Sequence, residues 1–118
     1  MSAHFPNVQA QAEAVRKARA IVAGEVGVLE GCIPLASLAH DVVPDWRIDP
    51  DFVVFGAVAS EVDDLPLGPV RAHWSSEALA KADLEIARYT QLSRDEVLAA
   101  CRNIISRFTA TSSHDGAV

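Results

Sequence analysis

Sixteen carboxylates, four histidines and two cysteines are the side chains of this sequence suited to proton, nucleophile or metal chemistry. Their spacing speaks against most of it. Cys32 and His40 could be set together as nucleophile and base, yet no third residue or signature accompanies them to orient the base. His4, His40, His73 and His114 show no ligand spacing, and Asp49-x-Asp51 lacks the glycine and the later glutamate of a calcium loop. Glu25 and Glu30 would stand about 140° apart around a helix, and no Glu-x-x-His accompanies them, so they make no dinuclear-metal face. No metal, cofactor or catalytic residue is expected. Cys32 and Cys101 form no CxxC and read as two buried thiols.

What remains is charge. The chain has a formal net charge of −6, and residues 41–64 account for all of it. That window holds Asp41, Asp45, Asp49, Asp51, Glu61, Asp63 and Asp64 against Arg47 alone, while acids and bases balance on either side. Such asymmetry points to a basic partner and away from nucleic acid, whose phosphates need clustered lysine and arginine. Trp46 and Arg47 lie inside the window and are the residue types most often found as interface anchors, although Trp46 could equally close the bottom of the core. Glu61 and Arg71 are expected to pair across the proline-rich turn between them, offsetting an acid at a helix C-terminus. Asp63 and Asp64 then stay solvated and free to steer a partner.

The elements that position these residues read as helices. At 118 residues and 50% hydrophobic, the chain is long enough for one core. No apolar run suffices to span a bilayer, and Met1 to Pro6 lacks the start of a signal peptide, so a cytoplasmic protein is expected. Residues 1–6 read as loose, 7–109 as the helical domain and 110–118 as a disordered tail. Asn7 caps a first helix whose period, Val15, Ala18, Val22, Val26, Leu29 and Ile33, continues to about Ala39. Pro34 predicts a kink near Glu30 to Ile33. Ala20, Gly24, Gly27 and Gly31 would line one face of that helix as a groove for another helix, with Gly56 pressed against it.

Asp49, Pro50 and Asp51 give a helix-start signal for residues 50–62, although the apolar run after them would also suit a buried strand. Ser75 or Ser76 starts a third helix to about Thr90. Ser93 with Glu96, flanked by Leu92 and Val97, reads as a capping box and staple that start a fourth helix to about Thr109. The expected fold is all-α, an irregular four-helix bundle with a long kinked first helix.

Two stretches, GEVGVLEGCIPLASL and SEVDDLPLGPVRAHW, with the acid-containing helix after them, resemble small helical bacterial proteins. Some of these look like immunity proteins of contact-dependent growth inhibition systems. The resemblance covers about residues 15 to 108. It implies a protein that binds and blocks a cognate toxin domain, commonly a nuclease, and carries no site residue over by motif. The charge pattern suits that role, with Asp45, Trp46, Arg47, Asp49, Asp51, Asp63 and Asp64 as the partner-binding residues of a monomer. The alternative is a structural or regulatory helical module that self-associates through its glycine-lined face. A small enzyme using Glu30, Glu61 and Arg71 would need a pocket joining those three.

Overall fold

A computed structural model describes the backbone of residues 7–117 and the side chains of residues 7–109. The expected loose start, 1–6, lies outside the described residues, as does Val118. The described chain is all-helical: α1 (Val8–Val22), α2 (Val28–Val42), α3 (Phe52–Glu61), a 3₁₀ segment (Gly68–His73) and α4 (Ser76–Ala117).

Asn7 caps α1, its Oδ1 accepting from the Ala10 backbone N–H at 3.0 Å. The expected long first helix is two helices, and the break falls at Gly24 rather than at Pro34. Gly24 adopts φ +78°, a conformation that glycine reaches at no steric cost. Its N–H bonds the Ile21 carbonyl and the next N–H, of Glu25, bonds back to Ala20, which closes α1 in a Schellman turn. Gly27 then caps α2 in an extended conformation. Pro34 sits inside α2, where it deprives only the Glu30 carbonyl of a donor.

The glycines therefore share no helix face. Gly24 is in the turn, Gly27 is a cap, and only Gly31 marks a close approach. A Cβ on Gly31 would collide with the Ile21 side chain, so α1 and α2 touch there without a spacer. Gly56 lies beside Trp46 instead, whose ring edge would be 4.0 Å from an added Cβ.

Residues 52–61 form a helix, as the start signal predicts. Asp49 caps it: one carboxylate oxygen accepts from the N–H groups of Asp51 at 3.0 Å and Phe52 at 3.2 Å. Phe52 and Phe55 are wholly buried and meet edge to face with centroids 5.8 Å apart. Burying each ring stabilises the fold by roughly 1.5–3 kcal/mol.

The third and fourth expected helices are one. Ser75 caps α4, its hydroxyl accepting from the Ala78 N–H at 3.1 Å, and the helix continues through Ser93 and past Thr109 to Ala117, across residues expected to be a tail. The capping box at Ser93 fails because nothing in Gln91–Glu96 breaks a helix; no proline or glycine occurs there. Leu92 is 72% exposed while Val97 is fully buried, so the two make no staple. Ser93 is buried, on the side of α4 that also buries Val97, Ala100, Cys101 and Ile104. On α1, Ala10, Ala14 and Ala18 are buried one helical turn apart. These small side chains let α1 lie close along α4, with α2 and α3 completing the core through Leu29, Cys32, Leu35, Phe52 and Phe55.

Candidate functional site

The seven carboxylates of residues 41–64 separate into three places. Asp49 and Asp51 turn inward at the start of α3. Arg107 of α4 grips both: its Nη1 donates to Asp49 Oδ1 at 3.0 Å and to Asp51 Oδ2 at 2.9 Å, and its Nη2 lies 2.9 Å from Asp49 Oδ2. Asn103, one turn earlier, donates to Asp51 Oδ1 at 3.0 Å. Asp51 is only 8% exposed. Burial works to raise the Asp49 carboxyl, but hydrogen bonds from Arg107 and from the Phe52 and Asp51 backbones outweigh it and hold the group below the usual carboxylate range. The same contact with Asp49 raises the Arg107 guanidinium further. Asp49 and Asp51 were expected to meet a partner; they instead tie α3 to α4.

The other carboxylates flank α3 in the sequence. Asp41 and Asp45 are exposed before it, with His40 3.4 Å from Asp41. Glu61, Asp63 and Asp64 are exposed after it. The ten residues of α3, about 15 Å of helix, separate the two groups along the chain. Among the described residues, no lysine or arginine lies within ion-pair distance of Asp45, Glu61, Asp63 or Asp64.

Arg71 does not pair with Glu61. Its two guanidinium nitrogens meet both oxygens of Asp83 at 2.8 and 3.0 Å, and Nη1 also donates to the Pro66 carbonyl at 3.2 Å. This bidentate contact lowers the Asp83 carboxyl and raises Arg71. It fastens the 3₁₀ segment to α4, and the spacing of Asp83 from Arg71 in sequence gave no sign of it. Glu61 lines a separate hollow with Leu65, Glu85, Arg88, Tyr89 and Leu92, which includes neither Glu30 nor Arg71. Glu30 lies over Gly27, where its Oε1 would be 2.7 Å from an added Cβ.

Trp46 is half-buried against the core, and the Arg47 guanidinium lies over its ring at 4.9 Å from the centroid. Both line an open hollow with Ala36, Val53, Gly56 and Ala57. A second hollow is lined by Ile33, Ala36, Ser37, Ala59, Val62, Asp63, Leu65, Leu67 and Val70.

Cys32 and Cys101 are free and fully buried, on α2 and α4. Burial pushes both thiols up to about 12, and the neighbouring Cys101 adds to the effect on Cys32. The Cys32 thiol donates to the Val28 carbonyl at 3.3 Å. Thiols of this kind are packed as small apolar groups. Among the described residues, no three His, Cys, Asp or Glu side chains come together in a way that could hold a metal ion. No described helix is long and apolar enough to cross a membrane.

Among the described residues the fold is all-helical, with surface carboxylates that lack a lysine or arginine at ion-pair distance and open hollows beside α2 and α3. The chain belongs to the family described as "Protein of unknown function (DUF2489)", which matches residues 9–104, from the start of α1 to Ile104 in α4. No curated protein and no solved structure matches it.

Proposed function

We propose that this protein is a non-enzymatic, immunity-type inhibitor, which binds a cognate basic toxin domain, a nuclease by preference, through its acidic surface. The observation that carries the reading is the placement of Asp63 and Asp64. They follow the C-terminal end of α3, where the helix dipole disfavours negative charge, and are exposed with no lysine or arginine at ion-pair distance among the described residues. Among the described residues they make no ion pair within the fold. To a partner with a phosphate-binding cleft they offer charge complementarity and fast, salt-sensitive association. Glu61 beside them and Asp45 before α3 carry charge of the same sign, with Trp46 and Arg47 as the anchor residues. Asp49 and Asp51 do not take part, because Arg107 occupies them. The resemblance to growth-inhibition immunity proteins names the same role for a cytoplasmic monomer.

The test is co-expression with the C-terminal domain encoded directly upstream. The wild-type chain should co-purify with it, release it at high salt and protect cells from it. Asp63→Lys with Asp64→Lys should weaken capture by at least about tenfold, since two charge reversals each remove an attraction and add a repulsion. Unchanged capture and salt dependence would overturn the acidic surface as the contact.

A further inference from the structure

The hollow that Glu61 lines, between the end of α3 and the first half of α4, is set apart by the chemistry of its walls. Its α4 wall is Glu85, Arg88, Tyr89 and Leu92, spaced i, i+3, i+4 and i+7 and therefore on one helix face. Its other wall is Glu61, the last residue of α3, with Leu65 in the turn that follows. Three charged groups line it. Among the described residues none of them forms an ion pair, not even Glu85 with Arg88 one turn further along the same face. Glu61 also stands at a helix end. α3 has no basic residue in its last turn, so the negative end of its dipole and the Glu61 carboxylate both lack a cation there. Between the charges the walls are apolar, with Leu92 exposed and Leu65 and the Tyr89 ring half-buried.

Two carboxylates against one guanidinium leave a single negative charge in the hollow. The adjoining hollow, which shares Leu65 and Glu85, adds Asp64 and Lys81, whose charges cancel. At about 260 Å³ the Glu61 hollow lies just below the range of about 300–1,000 Å³ usual for small-molecule sites, so it has room for one small molecule. The complementary ligand carries two cationic groups, one anionic group and an aliphatic stem between them. We propose that this hollow binds a free basic α-amino acid of the arginine type. Glu85 and Arg88, with Cβ atoms about 5–6 Å apart on α4, take the adjacent α-ammonium and α-carboxylate. Glu61, across the hollow, takes the guanidinium, which a carboxylate can meet through both oxygens. Leu65, Tyr89 and Leu92 cover the stem. A neutral amino acid would leave Glu61 and the end of α3 without their cation, and a simple amine would leave Arg88 without its anion. The site stands apart from the inhibitor reading, which uses Glu61 only for the sign of its charge.

The experiment titrates the full chain, isotope-labelled, with L-arginine. Saturable amide shifts at Leu65, Glu85, Tyr89 and Leu92 are expected, with a Kd below about 1 mM. Removing any one charge of the ligand should weaken binding at least about tenfold. Arginine amide lacks the carboxylate, Nα-acetylarginine the ammonium and citrulline the guanidinium charge. Two variants place the contacts. Glu61→Gln should weaken arginine at least about tenfold and leave citrulline unchanged, and Arg88→Met should do the same for arginine relative to arginine amide. Both side chains are exposed and make no ion pair among the described residues, so both variants should unfold at the wild-type temperature.

The ligand series needs no variant. No saturable shift up to about 10 mM arginine, or shifts mapping elsewhere, would overturn the proposal. So would equal binding of arginine and citrulline, or a Glu61→Gln loss that is the same for both. Equal binding of Nα-acetylarginine would overturn the free amino acid as the ligand, since the α-ammonium would then make no contact. Toxin capture is scored separately, and arginine binding without capture sinks the inhibitor reading alone.

Discussion

Arg107 and Asp49, 58 positions apart in sequence, meet through both guanidinium nitrogens and both carboxylate oxygens, at 3.0 and 2.9 Å. Asp49 uses the same carboxylate to cap α3. One side chain thus starts the helix and fastens it to α4.

Replacing Arg107 with methionine should destabilise the protein by about 1–2 kcal/mol at pH 7, the partial exposure of the guanidinium keeping the cost below that of a buried pair. The effect depends on pH with a definite sign. The folded Asp49 carboxyl is held below its ordinary value, so its contribution is fully present above the unfolded value, near about 4, and is lost as pH falls through the lower folded one. The gap between wild type and variant in urea unfolding should therefore close on acidification below about pH 4. A gap of equal size at pH 7 and pH 3 would mean that Arg107 acts through its guanidinium over the Phe108 ring instead.

Gly31→Ala tests the α1–α2 contact. The new methyl group must displace Ile21, and overpacking of this kind costs typically 1–3 kcal/mol. In an Ile21→Ala background the space exists, so there the same change should cost less than about 0.5 kcal/mol. A double-mutant cycle by denaturant unfolding measures that coupling. Costs that simply add would place the two residues out of contact.

Local signals in the sequence identified helix starts well where a side chain acts on its own backbone. Asn7, Asp49 and Ser75 each accept the hydrogen bonds that their positions before apolar runs imply. Helix ends were harder. The period from Val15 to Ile33 continues unbroken through a turn, yet only Val15, Ala18 and Leu29 of it are buried while Val22 and Ile33 are exposed, so the pattern did not mark one continuous helix; only Gly24, followed by a second glycine at Gly27, carried the stop signal. Ser93 misled in the other direction, since a capping pattern inside a breaker-free stretch is simply a small polar residue in a helix. The candidate site was legible in its charges and illegible in their pairing. Nothing local to Asp49 or Asp51 marks Arg107 as their partner, and Arg71 found Asp83 because the turn through Pro66 aims it at α4 rather than back at α3.

Ser93→Ala separates a capped helix start from a continuous helix. Loss of a true N-cap costs typically about 1 kcal/mol. Within α4 the change should be neutral or stabilise by up to about 0.5 kcal/mol, because alanine is the better helix former and matches serine in size at this buried position. Thermal unfolding followed by circular dichroism reads the difference. A loss near 1 kcal/mol would restore the break between the third and fourth helices.

The buried thiols supply an independent clock for opening of the fold. Cys32 and Cys101 are fully buried, with burial pushing both up to about 12, so at pH 8 neither should react with an aromatic disulfide reagent while α2 and α4 stay together. Reaction then requires opening, and when reclosing is fast its rate follows the population of the open state. If the Asp49–Arg107 contact stabilises the whole fold, Arg107→Met must raise the labelling rate of both thiols by the factor its stability loss implies, about 5–30-fold for 1–2 kcal/mol. Both thiols should accelerate together, because Cys32 on α2 and Cys101 on α4 share one core. Acceleration of Cys101 alone would instead show that the contact holds only the second half of α4, and that α1, α2 and α3 keep their packing when it lifts away.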